Sequence, residues 1–235
     1  MSSSKNFVIA LDGGSGTGKS TTAKIVAKTL GITYLDTGAM YRSVALTCLE
    51  RGIDPNDAEA ATKVAQEIEI TFGQGPAGQT VQVDGHDVTS AIRTPEVDKA
   101  VSPVAAVPAV REAMVAQQRA LGAVGDVVAE GRDIGTVVFP DAEVKVFLTA
   151  DPAARALRRA VQRDGGDAAK DANATADEAA VAEILADIKR RDAYDSSREA
   201  SPLKPAADAH HIDSSLLSVD EVVAQIADLM EAARS

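Results

Sequence analysis

Hydrophobic positions follow two different rhythms along this chain. Phe7-Val8-Ile9-Ala10-Leu11 is an unbroken apolar run that stops at Asp12-Gly13-Gly14. That pattern predicts a strand covered on both faces, as in a parallel sheet. From Lys19 to Leu30 the apolar positions Ala23, Ile25, Val26, Ala27 and Leu30 fit a helix, which Gly31 ends. Ile32 to Asp36 predicts a second strand, and Thr37 to Arg51 a second helix closed at Gly52. Strand, glycine turn, helix, strand is the opening of a βαβ unit.

The middle of the chain alternates with a period of two. Ile68 to Phe72 and Thr80 to Asp84, joined by the glycine- and proline-rich stretch Gly73 to Gly78, predict a β-hairpin, and Val88 and Ile92 add a third short strand. The segment from Asp54 to about Ala106 is therefore an insertion with its own small sheet. The parallel pattern then resumes. Val107 to Leu121 is helical, Asp126 to Glu130 and Glu143 to Thr149 are strands, and Asp151 with Pro152 opens a helix to about Arg163. Asp164 to Asn173 is a polar, glycine-containing loop. Thr175 opens the next helix, with Glu178 completing a capping box, and it runs to about Tyr194. Ala209 to Ile212 is a last strand, and Ser218 caps a final helix through Ala233.

Composition narrows the class. The 235 residues are 45% hydrophobic, enough for a sizeable core, and the apolar content is largely Ala and Val. The net charge of −11 argues against a protein that coats nucleic acid, yet a local arginine cluster can still hold a small anion. The single cysteine, Cys48, cannot form an internal disulfide and reads as a small buried hydrophobe. Met1 to Asn6 is a polar lead, and no apolar run nears the roughly 18 residues of a membrane span, so the expected compartment is the cytoplasm.

Gly13-Gly14-Ser15-Gly16-Thr17-Gly18-Lys19-Ser20 matches G-x-x-x-x-G-K-S/T between a buried strand and a helix. Glycines let backbone N–H groups turn inward onto phosphate oxygens, and the helix presents its positive end to the same anion. Lys19 reaches the outer phosphates and the Ser20 hydroxyl suits Mg2+. No N-K-x-D guanine motif is present, and the strand ending at Glu130 leads into Gly131-Arg132-Asp133 rather than a D-E pair. Ends of parallel strands converge on one crevice. Arg42 and Arg132 could both reach a second phosphate there, although a surface ion pair is the alternative for either alone. A further basic set, Arg155, Arg158, Arg159 and Arg163, precedes the polar loop, and Lys189-Arg190-Arg191 follows it. This is the pattern of a lid over transferring phosphates, or of a solvated basic face. His86, His210 and His211 read as structural or surface residues. Open alternatives are another small-molecule P-loop kinase and a nucleotide-binding switch that transfers nothing.

Five segments then make the chain resemble the bacterial cytidylate kinase family: Asp36 to Arg42, Ile92 to Val97, Val110-Arg111, Glu130 to Pro140, and Arg191 to Arg198. The resemblance covers nearly the whole chain. It implies an adenylate-kinase-like α/β fold with a three-layer parallel-sheet core, an NMP-binding insertion and a helical lid. The implied division is core 1–54, insertion 55–106, core 107–163, lid 164–188 and core 189–235. ATP, with Mg2+ held at Ser20, would lie on Gly13, Gly14, Ser15, Gly16, Thr17, Gly18, Lys19, Ser20 and Thr21. CMP or dCMP would meet Thr37, Tyr41, Arg42, Ser102, Arg111, Arg132, Asp133, Asp195 and Arg198. Within that set Arg42 and Arg132 would hold the phosphate, Ser102, Arg111 and Asp133 would read the base, and Asp195 would meet the sugar. Lys19, Arg132, Arg155, Arg159 and Arg191 would carry the transfer, the last three from the lid. The family also implies a monomer in pyrimidine metabolism with no nucleic-acid or membrane partner. The sequence departs from the family at Gly14, where many members have proline, at Glu130, where aspartate is common, and at Tyr194 and Ser196, where some carry arginine.

Overall fold

The computed structural model describes residues 6–76, 78–163 and 176–234. In chain order the elements are β1 (Val8–Gly13), α1 (Lys19–Leu30), β2 (Thr33–Asp36), α2 (Thr37–Glu50), α3 (Ala58–Glu67), β3 (Ile70–Gly75), β4 (Gly78–Val83), β5 (His86–Asp87), α4 (Pro95–Ala106), α5 (Pro108–Gly122), β6 (Val127–Gly131), β7 (Val144–Thr149), α6 (Pro152–Arg163), α7 (Glu178–Ser197), β8 (His210–Asp213) and α8 (Val219–Arg234). A 3-10 turn, Ala91–Arg93, precedes α4, and one π-helical turn, Ile134–Val138, follows β6. The chain divides into two compact units, Met1–Leu35 with Gly122–Ser235, and Asp36–Leu121.

The first unit is built on a five-stranded sheet of order β2-β6-β1-β7-β8. β1 pairs in parallel with β6 and β7, and β7 in parallel with β8. Buried Ile9, Leu11, Val128, Val146, Leu148 and Ile212 meet Ala23 and Val26 of α1 and Val222 and Ile226 of α8 in one core. Every residue of β1 is buried, which is why the sequence shows an unbroken apolar run there rather than alternation. The close approach of β1 and β7 requires a glycine at the end of β1: a Cβ on Gly13 would lie 2.2 Å from the carbonyl oxygen of Leu148.

The caps expected at Gly31, Asp151 and Ser218 are formed. Gly31 ends α1, the Asp151 carboxylate accepts the N–H groups of Ala153 and Ala154, and Ser218 and Glu221 close a reciprocal box on α8. α7 differs from expectation. Thr175 and the polar loop Asp164 to Asn173 lie outside the described residues, and the described helix starts at Glu178 with Asp177 accepting the N–H of Ala180. It continues three residues beyond Tyr194, to Ser197, because no glycine or proline stops it sooner. α6 and α7 share a small apolar seam of Ala156, Ala160, Ile184 and Ile188.

In the second unit the hairpin is present, but β3 and β4 run through the expected glycine connection, with Gly75 opposite Gly78. The third strand is His86–Asp87 rather than Val88 with Ile92; Val88 donates its N–H to Val81 and accepts that of Ile92, which lies in the 3-10 turn. Two helices that the sequence reading treated as part of a sheet-bearing insertion appear here. α3 is capped by Asp57 and buries Ala61, Val64 and Ala65. α4 is capped by Thr94, starts at Pro95 and carries Pro103 inside it. Cys48 is fully buried in α2, and burial pushes its thiol up. Among the described residues no helix is long and apolar enough to cross a membrane.

Candidate active site

The loop after β1 curls tightly enough that only glycine fits its key positions. Gly18 sits at φ +94° at the start of α1, the left-handed region that costs other residues energy. Thr17 braces the curl by donating its hydroxyl to the Gly14 carbonyl at 3.1 Å. The Lys19 side chain folds back over the loop and donates to the same carbonyl at 2.6 Å. It is only 5% exposed. Burial and the neighbouring Arg132 guanidinium lower its ammonium from the ordinary 10.5 to about 7, against the opposing pull of Glu130, Asp12 and Asp192. A lysine held this way, buried and crowded by a second cation, gains from the arrival of a further anion.

Ser20, the first-turn hydroxyl of α1, donates to Glu130 Oε2 at 2.9 Å, and Tyr34 OH donates to the other carboxylate oxygen. Glu130 thus takes the Ser20 proton and leaves the hydroxyl's lone pairs available to a cation. Hard oxygen donors of this kind fit Mg2+, which takes few protein ligands and completes its shell with phosphates and water. Among the described residues no group of three or more His, Cys, Asp or Glu could hold a metal by itself.

Parallel register sets the next neighbour. Asp12 stands opposite Gly131, so the turn carrying Arg132 and Asp133 emerges beside the glycine loop. Asp12 fixes that turn: its two oxygens accept the N–H groups of Ile134 and Gly135, each at 2.8 Å. Burial raises the Asp12 carboxyl from 3.8 to about 6, opposed by those two bonds. The chain then winds through the π-turn, a geometry common at functional sites. Arg132 Nε donates to Asp195 Oδ2 at 3.1 Å, and Arg198 Nη2 pairs with the other oxygen of Asp195 at 3.0 Å. Three residues far apart in sequence, Arg132, Asp195 and Arg198, therefore form one largely buried cluster in the first unit. Asp133 is buried beside it.

The basic set on α6 divides by direction. Arg155 turns onto the glycine loop, donating to the Ser15 carbonyl at 3.0 Å and to Asp192 of α7 at 2.5 Å. Arg158 turns away, donating to the Ser214 carbonyl at 2.6 Å, while the Ser214 hydroxyl has one proton to share between the carbonyls of Thr17 and Thr149, each 3.0 Å away. Arg158 is therefore linked to the loop through Ser214. Arg159 on α6 and Arg191 on α7 are half-buried, and the expected loop between the helices lies outside the described residues. Exposed Arg190 pairs with Asp187. The histidines are all exposed, and His211 rests against Phe147 with 5.8 Å between ring centroids.

In the second unit, Thr37 begins α2 and Tyr41 lies one turn on, both buried. The Arg111 guanidinium stacks over the Tyr41 ring at 5.1 Å and donates to the Ala105 carbonyl. Arg42 is held by Asp98 and by the Ile92 carbonyl. Ser102 lies one helical turn beyond Asp98 on α4. Arg93 pairs with Asp36, the cap of α2.

Sequence reasoning missed five residues that shape the site: Asp12, Glu130 as the partner of Ser20, Asp98, Asp192 and Ser214. Asp12 and Glu130 carried a signal, each an acidic residue ending an otherwise apolar strand. Ser214 carried none, because its importance rests on a neighbour 197 residues away.

A glycine cradle with Lys19 and Ser20 between β1 and α1, on a sheet of this order and beside an arginine-bearing turn, defines the class: a P-loop protein with the α/β fold typical of nucleoside monophosphate kinases. The family model for cytidylate kinase matches residues 9–232. The chain is 47% identical over 225 residues to cytidylate kinase of Rhodococcus opacus strain B4, covering 95% of this chain and 94% of that protein. It is 48% identical over 227 residues to cytidylate kinase of Rhodococcus jostii strain RHA1. It is also 46% identical over 228 residues to a bifunctional pantoate ligase/cytidylate kinase of Prochlorococcus marinus strain MIT 9313, where it spans 43% of the relative's length. A solved structure of an uncharacterized protein from Eubacterium ventriosum shares the fold at TM-score 0.50 and 13% identity, over 96% of this chain and 98% of that one. The chain belongs to the cytidylate kinase family.

Proposed function

We propose that the chain transfers the γ-phosphoryl group of ATP to CMP, and to dCMP, giving ADP and CDP or dCDP. The observation that carries this reading is the pairing, in one unit, of the Lys19 cradle with the buried Arg132–Asp195–Arg198 cluster at the adjoining strand end. One holds a donor phosphate and the other suits an acceptor nucleotide. Residues 55–106 are assigned to NMP binding and 164–188 to the lid as part of the same proposal, with Arg159 and Arg191 on the lid side and Arg42, Tyr41, Ser102 and Arg111 on the acceptor side.

The acceptor oxygen of a nucleoside monophosphate needs no strong base, since its second pKa is about 6. The protein's work is alignment and charge neutralisation. Lys19 and Arg155 present positive charge at the loop, and Arg132 presents it one strand away. Mg2+, held at Ser20 with Glu130 orienting the hydroxyl, would neutralise charge on the ATP phosphates. Asp133 suits the exocyclic amine of cytosine, because a carboxylate accepts but cannot donate.

The test is ADP release from ATP with and without CMP, followed by dCMP, UMP and AMP. CMP-dependent ADP formation is the expected result. ATP binding with no transfer to any nucleotide would instead favour a switch, and transfer to a non-nucleotide acceptor would favour a different P-loop kinase.

A further inference from the structure

Asp192 has a position that the transfer chemistry does not require. It lies on α7, yet its carboxylate rests on the glycine loop between β1 and α1. Oδ1 accepts the backbone N–H of Ser15 at 3.3 Å, and Oδ2 accepts Arg155 Nη1 at 2.5 Å. Arg155 Nη1 also donates to the Ser15 carbonyl at 3.0 Å, so both peptide groups of one loop residue are tied to this ion pair. Glycine at position 14 leaves room for this pair. A Cβ on Gly14 would stand 2.6 Å from Arg155 Nη1 and 3.1–3.2 Å from the two Asp192 oxygens. The carboxylate also lies close enough to Lys19 to favour its charged form. A carboxylate that takes a loop N–H, an arginine and the field of the loop lysine occupies the chemical position of a phosphate oxygen.

We infer that Asp192 is a built-in counter-anion of the phosphate cradle, which the phosphates of ATP displace, and that it thereby sets nucleotide affinity. Displacement releases the Ser15 N–H and frees Arg155 to turn from Asp192 to phosphate, so the position of α7 is coupled to nucleotide occupancy. Without this internal anion the chain would hold an unpaired buried arginine beside a buried lysine, which is costly. With it, part of the binding energy of ATP is spent on breaking the pair. The inference rests on the reading of the loop as an ATP site, and the experiment separates the two.

The test is calorimetric titration of the full chain, without CMP, comparing wild type with Asp192→Asn and Asp192→Ala. The probes are ATP with MgCl2 and, separately, inorganic tripolyphosphate. Both variants are expected to bind both probes about 3- to 30-fold more tightly, the range set by one hydrogen bond and one partly exposed ion pair. Melting curves supply a second readout. The variants should melt lower than wild type without nucleotide and gain more from saturating ATP, because binding no longer displaces a native contact. Affinity that is unchanged or weaker in both variants, or an ATP-induced gain equal to that of wild type, would overturn the inference and make Asp192 a support for Arg155 in the bound state. Wild type that binds neither probe would overturn the ATP-site reading as well.

Discussion

Lys19 shows how one residue can be both buried and chemically ready. Its ammonium has a pKa of about 7, lowered first by burial and then by Arg132. At pH 8 this lowering favours the neutral amine in the protein alone. The phosphates of bound ATP favour the charged form, so binding should take up a proton at that pH, where ATP itself is already ionised. Calorimetry in buffers of different ionisation enthalpy measures this uptake, and Lys19→Met should abolish it. Lys19→Ala should also slow phosphoryl transfer about 10²–10³-fold while leaving the fold intact, as expected for loss of one preorganised charge contact. Near-normal turnover would remove Lys19 from the chemistry. Asp133 carries a second residue-scale prediction. Cytosine offers a donating amine where uracil offers an accepting carbonyl, and a carboxylate pairs only with the former. Asp133→Ala should lose kcat/KM for CMP by more than for UMP, narrowing the ratio. If both fall by the same factor, the base is read elsewhere.

Among the elements, α6 and α7 deserve separation from the rest because their seam is small. Ile184 and Ile188 pack on Ala156 and Ala160, and Ile188 also reaches toward Gly16 of the loop. Ile188→Ala should cost about 2–4 kcal/mol, since the alanines opposite cannot grow to fill the gap. Urea unfolding measures the loss, and a change below 1 kcal/mol would mean the seam closes over the cavity. The elements also divide by how visible they were in the sequence. β1, α1 and β7 announced themselves through unbroken or regularly spaced apolar residues and glycine stops. α3 and α4 did not, although Asp57, Thr94, Pro95 and Glu96 are ordinary start signals. Short alanine- and valine-rich helices next to a hairpin look like strand or loop, and Pro103 within α4 reads as a break.

For the molecule as a whole, β1 is the strand on which the first unit depends, lying between β6 and β7. Leu11 is fully buried there and ends the run that feeds the glycine loop. Leu11→Ala should destabilise the protein by about 2–5 kcal/mol and lower its melting temperature by several degrees, with activity lost in step with folded fraction. Loss of activity in a variant with wild-type stability would show instead that Leu11 acts on the loop itself. The acidic surface implied by the net charge of −11 stands beside this arginine-rich site without conflict, because Lys19, Arg155 and Arg198 are withdrawn from the surface.

The amino-acid sequence alone determined the βαβ opening, the glycine cradle, the hairpin, the caps at Gly31, Asp151 and Ser218 and the family, because these are local. A cap, a turn or a buried strand needs only the residue types within a few positions of it. The tertiary structure decided which charges meet. Nothing in the spacing says that Asp195 bridges Arg132 and Arg198, that Glu130 orients Ser20, that Arg158 and Ser214 brace the loop, or that Asp192 lies on Ser15. Those pairs join segments brought together by the parallel register of the sheet and the docking of α6 and α7. A hydrogen bond holds only within about 3 Å, a distance that side-chain chemistry can use but chain order cannot specify.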